Sequence, residues 1–382
     1  MDKMQTDLQI IIAGAGLGGL ASALALKRNG FRVSLYEQGG DKPIPTGLIL
    51  HGSTLQSLQS LEIAHRVVNL GFAIKCFELR HWNGVLLKMV NLDFISKLSG
   101  FPLVAFLRSD LHKLLADEIG GASIFSDHRV LGYYQDSKEA TLIFSGGRRI
   151  AGDLLIGADG MSSCIRKQLV RVNKLTYTGV TSWRGISTWG ESKEGVLTEY
   201  WGKGMIFGYV GIGGGKSYWY AYDHSLPNLI EPAGQMRMSL VKRFETGSKN
   251  ILELLNATPE NLIFRTDIYD HALVKPWMDG LVILVGDAAH PVLPSGFWGA
   301  SLALEDAVCL AQELGTSEVS IALQHFQKKR IERVKKIKNY SKKIWKTQMR
   351  HLGLSRWLRD IFLKFTPQKK FSAPLHTFEK FN

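Results

Sequence analysis

Leu8 to Ala13 is a short, nearly continuous apolar run with three consecutive isoleucines, the pattern of a parallel strand buried on both faces. Leu20, Leu24 and Leu26 then recur at helical spacing as far as Asn29, where Gly30 stops the helix. Phe31 to Tyr36 alternates as a second strand and ends at Glu37. The first strand and the helix are joined by Gly14-Ala15-Gly16-Leu17-Gly18-Gly19. Strand, glycine turn, helix, strand and acid thus follow one another within thirty residues.

Further along, residues 100 to 170 read as strands and one helix. Arg108-Ser109-Asp110-Leu111 opens that helix, with Ser109 or Asp110 as its cap. The stretch from Lys174 to Asp270 has another texture. Thr176 to Trp189, Leu197 to Trp201, Met205 to Ile212 and Lys216 to Asp223 are aromatic strands, and Gly213-Gly214-Gly215 turns the last two into a hairpin. A helix over Gln235 to Phe244 covers this sheet. Leu281 to Val285 returns as a buried strand ending at Gly286-Asp287, Ala300 to Leu314 is helical, and a long basic helix starts near Ile321. The expected class is α/β, with an antiparallel sheet inserted between two halves of a nucleotide-binding domain. The halves are residues 1–173, with some strands near 70–107 lent to the insert, and residues 271–345. Residues 174–270 form the insert, and 346–382 a basic amphipathic C-terminal helix and tail.

The glycines have separate physical tasks. Gly14 permits a tight turn, Gly16 lets backbone approach a pyrophosphate, and Gly19 lets helix and strand pack closely. Phosphates would lie at the positive end of the helix, and Glu37 can accept both hydroxyl hydrogens of an adenosine ribose. The chain therefore carries a dinucleotide site.

Charge alters the picture only at one end. The net charge of +13 belongs to the tail: Lys328 onward carries 17 Lys/Arg against 3 Asp/Glu, and the preceding 327 residues carry 30 against 31. A basic face on a nucleic-acid fold is not visible, which excludes nucleic acid as a partner. Three scattered cysteines (Cys76, Cys164, Cys309) argue against a disulfide framework and fit a reducing cytoplasm. The N-terminus lacks the ending of a signal peptide, and no apolar run is long enough to span a bilayer.

Two later segments specify which dinucleotide. Gly157-Ala158-Asp159-Gly160, followed by Ser163 and Arg166, precedes Val285-Gly286-Asp287-Ala288-Ala289-His290-Pro291. With the glycine turn, and in this order, they resemble the FAD-dependent group A flavoprotein monooxygenases, the aromatic-ring hydroxylases of the para-hydroxybenzoate hydroxylase type. The resemblance covers almost the whole chain. It implies a Rossmann-like FAD-binding domain with an inserted substrate sheet. Implied cofactor contacts are Gly14, Ala15, Gly16, Leu17, Gly18, Gly19, Glu37, Gln38, Gly47, Arg108, Val130, Asp159, Asp287, Gly299 and Ala300.

The resemblance also implies the reaction. NADPH or NADH reduces FAD, dioxygen gives a flavin hydroperoxide, and one oxygen passes to an aromatic or polycyclic small molecule. No protein residue is expected to be catalytic. Alternatives within the family are inactivation of a tetracycline-type antibiotic or epoxidation of an isoprenoid. A flavin halogenase is disfavoured, because Trp183 to Trp189 does not supply its tryptophan-x-tryptophan-x-isoleucine-proline segment. An alternative of another class is a non-catalytic, flavin-bearing interaction protein.

Two departures stand out. Where the family commonly reads Gly-Gln-Gly, this chain reads Phe297-Trp298-Gly299, placing two bulky aromatics beside the expected flavin. The loop Thr46 to Ser53 ends in Ser53 rather than asparagine, and His51 within it is read as a packed residue rather than a base. On the substrate side, Arg184 is a candidate anchor for an acidic or carbonyl group, and Trp201, Tyr209, Tyr220 and Phe297 are candidate walls. Alternation forbids Trp219 and Tyr220 from sharing a face. Leu354, Trp357, Leu358, Ile361, Phe362 and Phe365 form an apolar stripe among basic residues. Such a helix either rests on an anionic membrane or covers the protein's own core, and the second reading is preferred.

Overall fold

The structure, a computed structural model, describes residues 7–39, 46–170, 175–190, 192–232, 234–351 and 353–380. The isoleucines of Gln9–Ala13 are fully buried inside a six-stranded sheet. Its order is Met278–Asp279, Val282–Leu284, Leu154–Gly157, Gln9–Ala13, Arg32–Tyr36, Ile124–Phe125. Every neighbouring pair is parallel except the outermost Met278–Asp279 with Val282–Leu284. The helix Leu17–Arg28 packs against the helix Trp298–Thr316, with Gly18 leaving room for Ala303. Two distant stretches of chain thereby share one core.

The second large sheet has seven strands, in the order Ile263–His271, Leu175–Ser187, Lys216–His224, Ile206–Gly213, Val196–Trp201, Cys76–His81, Leu86–Asn91. It is not purely antiparallel as expected, because Val196–Trp201 runs parallel to Cys76–His81. Parallel neighbours need a long crossover, and the chain between His81 and Val196 supplies one. Lys174, the expected start of the insert, lies outside the described residues.

The two faces of this sheet are chemically distinct. Trp183, Phe207, Tyr209 and Trp219 pack on one side under the helices Met236–Arg243 and Lys249–Asn256. The second of these helices was not anticipated, although Ile251, Leu254 and Leu255 carry the periodic signal. Trp201, Tyr218, Tyr220 and Tyr222 point to the other side, toward the nucleotide domain.

Three expectations need correction. The helix Arg108–Ile119 leaves the strand Leu103–Leu107 directly, so Leu107 is its N-cap and neither Ser109 nor Asp110 caps it. After the long helix Val319–Gln348 the C-terminal region forms two helices, Gly353–Phe365 and Gln368–Phe378, separated at Pro367. The apolar stripe does not cover the core: Trp357 is 59%, Phe362 62% and Phe365 74% exposed. Instead Leu363 and Arg359 face inward, the Arg359 guanidinium lying 5.5 Å from the Trp201 ring and donating to the Gln348 carbonyl. The side chains of Leu354 and Arg356 lie outside the described ones.

Candidate active site

Gly14 turns at φ +102°, where a Cβ would fall 2.5 Å from the Ala158 carbonyl oxygen. At Gly19 a Cβ would meet the Gly14 oxygen at 1.9 Å, so only glycine lets this helix start so close to the strand end. Gly16 caps the helix and has open space before it, the cradle a phosphate needs. Glu37 holds the turn: its Oε2 accepts from the Ala15 amide at 2.6 Å and its Oε1 from Gln38 at 3.0 Å. His112, unnoticed in the sequence, donates through Nε2 to the Ala15 carbonyl at 3.0 Å.

The two later motifs are wired to each other. Asp159 Oδ2 accepts from the amides of Cys164 and Ile165, while its buried Oδ1 has no partner. Buried Arg166 donates to the carbonyls of Asp287 and Ala288 at 2.9 and 2.8 Å, and to that of Met161. On the other side, Asp306 Oδ2 accepts from Gly286 N at 2.9 Å and lies 2.5 Å from His290 Nε2. The exposed Asp287 is thus aimed by buried neighbours.

A cleft of about 340 Å³ runs between these elements. Gly16, Leu17, Gly18, Gly47, Arg108, Asp287, Gly299 and Ala300 line it, as do Arg184, Tyr218 and Tyr222. Gly47 has a packing reason beyond its expected role, since a Cβ there would strike the Tyr218 ring at 2.0 Å. Burial would lower the Arg184 pKa, but Tyr218, Tyr222 and Asp287 outweigh it and hold the guanidinium firmly protonated. Arg184 therefore belongs to this cleft. Gly14, Ala15, Gly19, Glu37, Gln38 and Asp159 do not line it, and Val130 lines neither cavity, its carbonyl facing the Cys164 thiol.

Beyond Phe297 lies a second cavity of about 400 Å³. Its walls are mainly apolar, including Phe77, Val90, Ile95, Leu197, Trp201 and Leu363. Phe297 lines both cavities and sits at φ +62°, its ring edge-on to Tyr220 at 5.4 Å. Trp298 does not wall either space: it is fully buried and stacked on His51 at 3.5 Å. His51 is packed, its Nε2 donating to the Gly296 carbonyl at 2.8 Å and its Nδ1 lying 2.5 Å from Glu379 Oε1. Ser53 donates its amide to the same carboxylate at 2.9 Å, so the chain's far end secures this loop.

Among the proposed walls, Trp201 and Phe297 line the second cavity, and Tyr220 reaches it through Glu199. Tyr209 is on the wrong face, packed edge-on to Trp189 at 5.2 Å, because it pairs with Thr198 and so shares the side of Tyr200 rather than of Trp201. Trp219 also faces away from Tyr220, as alternation required. Glu199 escaped notice in the sequence. An acid two residues before Trp201 in an otherwise apolar strand was the available signal.

The residues fit FAD on this geometry: a helix start with open space before its glycine cap, an unpartnered buried Asp159 oxygen, and an acid at the second strand's end. The family model described as FAD binding domain matches residues 7–193 and 257–337. The chain belongs to this family of FAD-dependent, aromatic-hydroxylase-like monooxygenases. It is 30% identical over 376 residues to the aurachin C monooxygenase/isomerase of Stigmatella aurantiaca, covering 97% of both chains. It is 31% identical over 324 residues to the chloroplastic zeaxanthin epoxidase of Prunus armeniaca, matching 80% of this chain but only 48% of that protein. Klebsiella pneumoniae HpxO, solved with FAD and uric acid, superposes with a TM-score of 0.92 at 22% identity over 98% of this chain and 97% of its own. The protein is an oxidoreductase whose cofactor is FAD, with NAD(P)H the usual reductant of its family. Among the described residues no helix is long and apolar enough to cross a membrane.

Proposed function

We propose that this chain inserts one atom of dioxygen into an aromatic or polycyclic small molecule held in the second cavity, at the expense of NADPH or NADH. The carrying observation is the pair of cavities that share Phe297, one lined by the nucleotide motifs with Arg108, Arg184 and Asp287, the other mainly apolar. FAD, when bound, supplies the redox and oxygen chemistry. The chain supplies the rest. The Leu17–Arg28 helix start receives phosphates, Asp287 offers a hydroxyl acceptor, and the start of Trp298–Thr316 presents free amides that favour negative charge. The apolar walls exclude water. Purified protein should be yellow and should consume oxygen and reduced nicotinamide cofactor when offered phenols, quinolones or tetracyclines. The product should be one oxygen atom heavier. Protein without flavin even after reconstitution would refute the reading.

We also propose that the exposed stripe on Gly353–Phe365 rests on an anionic lipid surface. Trp357, Leu358, Phe362 and Phe365 are exposed, Lys364 lies over the Phe365 ring, and exposed Lys369 and Lys370 follow a few residues on. Phe362 also lines the second cavity, so an apolar substrate would meet its pocket at this surface. Vesicles containing phosphatidylserine should pellet the wild type but not a Trp357→Ser/Phe362→Ser/Phe365→Ser variant. Equal pelleting of the two, or none, would exclude the contact.

A further inference from the structure

Glu199 is the anomaly of the second cavity. It is 5% exposed, lies among mainly apolar and aromatic strand neighbours, and lines a mainly apolar wall. Tyr220 donates its hydroxyl to Oε1 at 2.5 Å, the Trp201 indole donates to Oε2 at 2.8 Å, and Gln348 Nε2 lies 3.5 Å from Oε2. A carboxylate offers about four acceptor positions, so one remains, on Oε1. Burial pushes this carboxyl's pKa up, opposed by the three donors, so an added donor would relieve an environment that disfavours its charge.

The cations near the cavity do not compensate. Lys343 and Lys370 line it but are exposed, Arg359 does not line it and lies behind the Trp201 ring, paired with Asp360, and Arg184 lines the other cleft. Both ring nitrogens of His51 are already engaged. A carboxylate substrate would set a second acceptor group against Glu199, with no buried Lys or Arg among the described residues lining the cavity to receive it.

We propose that Glu199 is the polar contact of the substrate, accepting a hydrogen bond from an N–H or O–H group on an uncharged, otherwise apolar molecule, and that it selects against carboxylate substrates. This rests on the reading that the second cavity holds the substrate. It reverses the sequence-based expectation that an arginine anchors an acidic group.

The test uses the FAD-loaded protein and three probes of one length: 4-nonylphenol, its methyl ether 4-nonylanisole, and 4-nonylbenzoate. Binding is read from quenching of tryptophan fluorescence and from perturbation of the flavin spectrum. The phenol should bind about tenfold or more tighter than the ether, as one buried hydrogen bond to a carboxyl oxygen allows, and the benzoate most weakly. Glu199→Leu should abolish the phenol's advantage, and Glu199→Gln should relieve the penalty on the benzoate. The proposal is overturned if the benzoate binds best, if phenol and ether bind alike, if the advantage survives in Glu199→Leu, or if no probe binds. Should neither variant fold, the ranking of the three probes on wild type still decides. A protein that takes up no FAD defeats the proposed reaction, whereas a yellow protein indifferent to the phenol hydrogen defeats only the role of Glu199.

Discussion

Replacing Arg330 with methionine probes the join on which the flavin motifs depend. Arg330 is 3% exposed and donates Nε to Asp306 Oδ1 at 2.6 Å, Nη1 to Glu305 Oε2 at 3.0 Å and Nη2 to the Leu302 carbonyl at 3.1 Å. Both carboxylates are fully buried. Removing one partner of a buried ion pair costs about 3–5 kcal/mol. The low end applies here, because Arg333 still holds Glu305 at 2.6 Å and His290 still faces Asp306. Unfolding entropy of about 2.1 cal/mol/K per residue gives about 0.8 kcal/mol/K for a chain this long, so about 3 kcal/mol lowers Tm by about 4 °C. The pH dependence has a definite sign. Burial alone would raise the Asp306 pKa, but His290 and Arg330 outweigh it and hold the carboxyl below its usual range. That stabilisation is complete above the unfolded value of about 4 and is lost as pH falls through the folded one. Without Arg330 one of the two charges that lower it is gone while His290 stays, so the folded pKa moves up from its depressed wild-type position, and the deficit grows as pH climbs from the wild-type folded value to the variant's. Differential scanning calorimetry of Arg330→Met and wild type should show the full Tm gap near pH 7 and a narrower one in acid, below about pH 4. Flavin content should fall too, because Asp306 fixes the Gly286 amide beside Asp287. A gap under about 1 °C, or one that does not move with pH, would refute this reasoning.

Gly14→Ala forces a Cβ onto the Ala158 carbonyl at positive φ, a strain of about 1–2 kcal/mol before any clash. Its flavin-to-protein absorbance ratio should drop well below that of wild type, and an unchanged ratio would contradict the role of the turn. Glu379→Ala leaves His51 Nδ1 and the Ser53 amide without their acceptor in a buried site. A loss of about 1–3 kcal/mol follows, a Tm decrease of about 1–4 °C that thermal-shift measurements would resolve. Burial, with Asp159 adding to it, pushes the Cys164 thiol up to about 12, and burial pushes Cys309 up to about 11. Native protein at about pH 8 should leave both unalkylated by iodoacetamide, and mass spectrometry should find both labelled after denaturation. Rapid native labelling of either would contradict the burial.

The nucleotide half was legible because each of its residues answers a local constraint. Gly14 and Gly19 are fixed by contacts within a few residues of themselves or across one strand pair, and a glycine pattern records such constraints directly. The aromatic strands were legible for the same reason, through their alternation. What sequence did not reveal depends on pairings between distant segments. That strands near 70–107 join the aromatic sheet was expected, but nothing in the pattern of Cys76–His81 names Val196–Trp201, more than a hundred residues away, as its parallel partner. Tyr209 and Trp201 are both aromatic residues on neighbouring strands, yet a register of Thr198 with Tyr209 sends them to opposite faces. The stripe on Gly353–Phe365 was periodic enough to identify, but periodicity alone does not say which face is inward. Leu363 and Arg359 settle it, through a guanidinium that reaches the Trp201 ring.

Phe297 ties these halves together. A non-glycine residue at φ +62° costs about 1–2 kcal/mol and persists only where its surroundings fix it. Those surroundings come from three distant segments. Tyr220 meets its ring edge-on, Trp298 beside it is clamped by the stacked His51, and His51 is held in turn by the C-terminal Glu379. The strained position is also where the two cavities share a wall. An aromatic ring placed there borders both a cleft lined by Arg108, Arg184 and Asp287 and a mainly apolar cavity whose lining acid, among the described residues, is Glu199. A glycine would sit at this φ without strain but would leave Tyr220 without the ring it packs against, which is a physical reason for the bulky residue to stand where the family's pattern has a small one.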